Sequence, residues 1–153
     1  VISKSSGSLS GDLKLYGTFK ELKLIGDNCM FKDFKFTVNF TQVPYILNGP
    51  VMVNENGIFS KDLYITDMRG YKGKVTGKMG YHYFRDIFFD VDIDFNDMEC
   101  LRTTLSHNDA FYGNAFGSGK LKITGPLKKI NLDIDVITKK NTSIHKMLQE
   151  PIS

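Results

Sequence analysis

The apolar residues of this chain recur at every second position. Leu13 with Leu15, Phe34 with Phe36, Val38 and Phe40, and Leu63 with Ile65 each alternate with polar residues. The clearest run is IFFDVDIDF, with Ile87, Phe89, Val91, Ile93 and Phe95 on one face and Asp90, Asp92 and Asp94 on the other. Another sets Ile130, Leu132, Ile134 and Val136 against Asn131, Asp133 and Asp135. Such alternation places the apolar set on one side of a β-strand, and no window sustains the three- and four-residue spacing of an amphipathic helix. Glycine and Asx residues break the runs at short intervals, as turns require. The sequence predicts an all-β fold.

An internal repeat organises the strands. GDLKLYGTFKELKL (residues 11–24) and GKLKITGPLKKINL (residues 119–132) align without a gap, with apolar sites matching throughout. A weaker third copy begins at Gly73 and is expected to have a longer turn, with His82 inside it. Each copy reads as a hairpin, with Gly125 and Pro126 at the turn of the last one. Repeated hairpins of one kind imply an elongated antiparallel sheet.

Charge fixes the predicted register. If Lys122 faces Asp133, then Lys120 faces Asp135, Leu121 faces Ile134 and Ile123 faces Leu132. In the middle copy Lys78 faces Asp90, Lys74 faces Asp94, Val75 faces Ile93 and Met79 faces Phe89. One face is then a lysine–aspartate lattice and the other is apolar. A strand from Ile87 to Phe95 is about 27 Å long, and with no helices to cover its apolar side the sheet must curl on itself or bind something apolar.

At 153 residues and 17.3 kDa the chain is long enough for one domain with a sizeable core. Its 20 basic and 17 acidic residues leave a net charge of +3, too balanced to imply a polyanion partner, and no basic run suggests nucleic acid. No stretch is apolar enough to span a membrane as a helix, and no signal peptide is visible. The chain starts at Val1 with a polar first decade, which gives the expectation of a piece cut from a longer protein. Cys29 and Cys100 are expected as small half-buried side chains, and their spacing leaves pairing open.

Candidate chemistry is sparse. FYGNAFGSGKLKITG resembles a phosphate-binding loop, but Asn114 stands where the first P-loop glycine belongs and Leu121 where Ser or Thr belongs. Lys122 likewise replaces the third glycine of a dinucleotide fingerprint, and the alternation after Lys120 is that of a strand. Asp90, Asp92 and Asp94 share a face but lack the wrapping loop that calcium favours, and the lysines opposite neutralise them without a metal. His82, His107 and His145 are scattered, and Glu55 with Asp62 is not distinguished from surface charge. Asn39, within a strand pattern, and Asn141 are formal glycosylation sequons only. No catalytic, cofactor or metal site is expected. Tyr71, Tyr81, Tyr83 and Tyr112 offer stacking surfaces for a sugar, so a secreted β-sandwich that binds carbohydrate is the alternative reading.

Residues 65–142 resemble the C-terminal half of TamB-type proteins (translocation and assembly module, AsmA-like), especially those of Bacteroidetes. The elements that carry the resemblance are TG followed by HYFRD, then FDVDID, FYGNAFGSGKLKITGP and LDIDVITKKNT. It covers about half the chain; the first sixty residues share only the strand rhythm. The ending SIHKMLQEP departs from the family at Lys146, which counts against a last strand there. The resemblance implies that residues 1–153 form a single β-taco segment, a curled sheet with an apolar concave groove. It also implies a periplasmic protein anchored in the inner membrane, without catalytic residues or cofactors. Its partners would be phospholipid or apolar β-strand cargo and a BamA-like outer-membrane barrel protein. Phe89, Val91, Ile93, Phe95, Leu121, Ile123, Leu132 and Ile134 are the expected lining of that groove, with Phe95 at its mouth.

Overall fold

The computed structural model describes residues 2–39, 41–104, 111–138 and 143–146. They form one antiparallel sheet of ten strands and, among the described residues, no helix. The strands are β1 (Ile2–Gly17), β2 (Leu22–Val38), β3 (Pro44–Asn54), β4 (Gly57–Ser60), β5 (Leu63–Thr66), β6 (Lys72–His82), β7 (Arg85–Thr103), β8 (Phe111–Pro126), β9 (Asn131–Thr138) and β10 (Ser143–Lys146). β4 and β5 share one row between β3 and β6, and β9 and β10 both pair with the far edge of β8. The sheet is therefore a meander in chain order, as local hairpin turns dictate. β1 extends through the polar ISKSSGSLS segment, with register shifts beside Gly7 and Gly11.

The repeat is structural. Leu15 pairs with Leu24 as Ile123 pairs with Leu132, the same register displaced along the chain. The turns match too: Glu21 N–H donates to the Thr18 carbonyl at 3.1 Å, and Lys129 N–H to the Pro126 carbonyl at 2.9 Å. Gly17 and Gly125 precede these turns with φ of 100° and 97°, where a side chain would be strained. The middle hairpin differs from the expectation of a longer turn. His82 pairs with Arg85 around two turn residues, Tyr83 and Phe84, at φ 49° and 62°. Positive φ at both positions is the geometry whose twist matches a tight hairpin, so β6 continues through His82 before reversing. β10 is a second departure: Ser143–Lys146 pairs with Asn114–Phe111 despite the lysine, because β8 runs past β9 and leaves its edge open there.

The core gathers in the middle of the sheet. Cys29, Val51, Val53, Leu63, Ile65, Val75 and Met98 are buried together, with residues of β1, β2, β3, β4 and β7 packed around them. Cys29 is fully buried rather than half-buried, Cys100 is half-buried, and both thiols are free.

At one end the sheet bends. β5 and β6 join through the turn Asp67–Tyr71, and β3 and β7 run past that turn. Beyond that turn the Tyr45 hydroxyl donates to the Glu99 carbonyl at 2.8 Å, and Arg102 N–H donates to the Thr41 carbonyl at 2.8 Å. These bonds join parts of the sheet separated by two intervening rows.

Candidate functional site

The predicted registers of both hairpins are those observed. Lys122 faces Asp133, Leu121 faces Ile134, Lys78 faces Asp90 and Val75 faces Ile93. Directly opposed residues of an antiparallel pair share a face, so the eight apolar candidates lie together on one side of β7, β8 and β9. Two rows are continuous across these strands: Ile93, Leu121 and Ile134, then Val91, Ile123 and Leu132. Phe95 flanks the first row opposite Gly73 and Gly119, and Phe89 flanks the second opposite Met79 and Gly125.

Burial falls steadily along this face. In the row Leu63, Val75, Ile93, Leu121 and Ile134, the first two are 6% and 9% exposed, the next two are half-buried, and Ile134 is 61% exposed. Leu132 beside it is 60% exposed. Phe95 is not a mouth residue: it is half-buried and packs against the core cluster with Val91 and Ile93. The positions open to solvent are those of β9, which among the described residues pairs with β8 alone. The same opening recurs at the other end of the sheet, where Leu13 and Leu15 on β1 are also exposed.

The opposite face carries the charges. Lys74, Asp94, Lys120 and Asp135 form one row of alternating sign, and Asp92, Lys122 and Asp133 form another. All seven residues are exposed, and none of these neighbours closes to an ion pair. The rows are a hydrated charge pattern rather than a set of salt bridges. Among the described residues no group of His, Cys, Asp or Glu could hold a metal ion.

The remaining sequence candidates do not converge. Gly117 to Thr124 are strand residues paired on both sides. Glu55 is engaged by Lys23 at 3.6 Å and by the Tyr16 hydroxyl at 3.3 Å, and it lies at the opposite end of β4 from Asp62. Asn39 lies in the turn after β2, not inside the strand, and its carbonyl accepts from the Gln42 amide at 2.7 Å. Tyr71 and Tyr81 sit at opposite ends of β6, about 33 Å apart along an extended strand, so they share no platform. Tyr81 is buried, stacked on Phe84, and its hydroxyl donates to the Asn54 carbonyl. His107 and Asn141, and the side chains of Tyr112 and His145, lie outside the described residues.

One cluster was not singled out from sequence. Asp67 is a buried carboxylate that accepts from the backbone N–H of Glu99 at 3.0 Å, Arg69 at 2.9 Å and Tyr71 at 3.1 Å. The Arg69 guanidinium reaches the same carboxylate at 3.0 Å and lies against the rings of Tyr71 and Phe116 at 4.4 and 4.3 Å. Burial pushes the Asp67 carboxyl up. The Glu99 N–H, the guanidinium and the two turn amides outweigh it and hold the group below the usual carboxylate range. Glu99 is also buried and pairs with Arg102. Burial raises the Tyr45 hydroxyl well above its usual range, aided by Cys100 and Glu99, and pushes the Cys100 thiol up to about 11. The signal in the sequence was TDMRG, an Asp-led turn closed by glycine. Asp67 and Arg69 hold the β5–β6 turn against β7, as a clamp.

Comparison with known proteins finds no match to a family model, to a curated protein or to a solved structure, so the exposed end of the apolar face carries the functional reading.

Proposed function

We propose that this chain is a non-catalytic segment of a periplasm-spanning protein, whose apolar sheet face guides lipid acyl chains or shelters apolar strands of outer-membrane barrel precursors. The parent protein would be anchored in the inner membrane and work with a BamA-like barrel protein. One observation supports this most directly: the apolar rows pass from the buried core to Leu132 and Ile134 without a polar interruption. A chain of methylenes laid along such a row leaves water at about 0.8 kcal/mol per buried CH₂. Rows without a polar side chain present no desolvation barrier to sliding. The taco-like curl belongs to the same proposal, and the bend that brings Tyr45 to Glu99 is in keeping with it.

Native mass spectrometry of the gently purified chain tests the reading. Phospholipid retained by the chain and lost on Ile134→Asp supports it. A lipid-free chain after extraction in its presence counts against it.

A further inference from the structure

Among the described residues no strand pairs with the outer edge of β1 or with the outer edge of β9. Unpaired strand edges present a row of backbone donors and acceptors ready for another strand. The repeat shows what kind of strand the β1 edge fits. The β1–β2 hairpin is the β8–β9 hairpin over again, in register and in turn, so β1 corresponds to β8. In β8 the corresponding edge is occupied by β7, with Asp92 opposite Lys122, Ile93 opposite Leu121, Val91 opposite Ile123 and Phe95 opposite Gly119. β9 repeats the β7 pattern: Leu132, Asp133, Ile134, Asp135 and Val136 follow the alternation of Val91, Asp92, Ile93, Asp94 and Phe95.

We propose that the outer edge of β1 accepts β9 from a second copy of this chain. Transposing the β7–β8 register sets Asp133 opposite Lys14, Ile134 opposite Leu13, Leu132 opposite Leu15 and Val136 opposite Gly11. Leu13 and Leu15, at 46% and 60% exposed, then lie beside Ile134 and Leu132, at 61% and 60%. The four exposed side chains cover one another on the apolar face, and the Lys14–Asp133 pair continues the alternating charges on the other. One pair opposes the contact: Asp135 falls opposite Asp12. The two edges are different surfaces, so the contact is head to tail and adds copies in an open row instead of closing a two-fold dimer. The contact shares Leu132 and Ile134 with the proposed function, but association of the chain tests it separately from lipid retention.

Sedimentation velocity of the 153-residue chain over a range of concentrations tests it, with circular dichroism to verify that each variant is folded. The expected result is a weight-average mass that rises with concentration. Lys14→Asp should shift the chain to monomer, and Asp12→Lys should strengthen association at least several-fold by replacing the like-charge pair. A peptide of residues 130–138 should compete with association and shift the amide resonances of residues 11–16. A chain that stays monomeric at every soluble concentration overturns the proposal. So does association that is indifferent to both β1 substitutions, or a peptide that leaves the β1 amides unmoved.

Discussion

The Tyr45 hydroxyl donates a 2.8 Å hydrogen bond to the Glu99 carbonyl, joining β3 to β7 across two intervening rows of the sheet. The bond is half-buried and spans 54 residues of sequence, so it stabilises the bend rather than any one hairpin. Tyr45→Phe keeps the ring beside Phe36 and removes only the donor. The expected loss is about 1 kcal/mol in urea unfolding. An unchanged midpoint would show that the bend is held by apolar packing alone.

Asp67 makes the same end of the sheet sensitive to acid. Its carboxyl sits below the usual range in the folded chain, so the stability it contributes is fully present above the unfolded value. That stability is lost as pH falls from about 4 through the lower folded value. Asp67→Asn should lower stability at neutral pH and flatten the acid limb of a stability–pH profile. Parallel acid limbs for the two proteins would assign the acid sensitivity to other carboxylates.

Gly125 takes φ of 97° at the β8–β9 turn, and a Cβ there would meet the Lys129 carbonyl at 3.0 Å. Gly125→Ala should cost about 1–2 kcal/mol, from left-handed backbone strain. Gly17→Ala should cost at least as much, because its Cβ would run into the Glu21 carbonyl. Thermal unfolding of the two variants measures whether the repeated turns are equivalent in energy as well as in geometry.

Asp92 faces Thr76 and Lys122 from an exposed position and forms no close ion pair. Asp92→Ala should therefore change stability by less than about 0.5 kcal/mol. Calcium should not raise the melting temperature of either protein. A calcium-dependent rise that disappears in the variant would restore Asp90, Asp92 and Asp94 as a metal site.

The burial gradient predicts opposite outcomes for two aspartates on the apolar face. Phe95→Asp places a carboxylate against the core cluster and should destabilise by several kcal/mol. Ile134→Asp alters a residue already 61% exposed and should cost under about 1 kcal/mol. Only the second variant is suited to a functional test, in which a folded chain with reduced phospholipid retention is expected. Equal destabilisation of the two at concentrations where the chain is monomeric would mean that β9 is covered within the chain itself.

The alternation of Phe89 to Phe95 with Asp90 to Asp94 determined the strand, its apolar side and, with Lys74 and Lys78, its register on β6. Period two admits only two faces, and a one-residue slip would bury the charges, so pairing within a hairpin is legible from the order of residues alone. The match of Gly11–Leu24 to Gly119–Leu132 determined the repeated turn for the same reason, because a hairpin is a local structure. His82 was misread as part of a longer turn because neither Tyr83 nor Phe84 signals by residue type the positive φ that both adopt.

Tertiary structure alone decided how deeply each apolar residue is covered and what clamps the end of the sheet. Phe95 and Ile134 are equivalent in pattern, yet one packs on the core and the other is open. Depth depends on how many rows lie beyond a strand, which no local period records. The bonds from Tyr45 and Glu99 N–H, to Glu99 and Asp67 respectively, join residues that sequence spacing keeps 54 and 32 apart. Their meeting follows from the bend of the whole sheet, a sum of small twists over many strands, and that sum exists only once the strands have assembled.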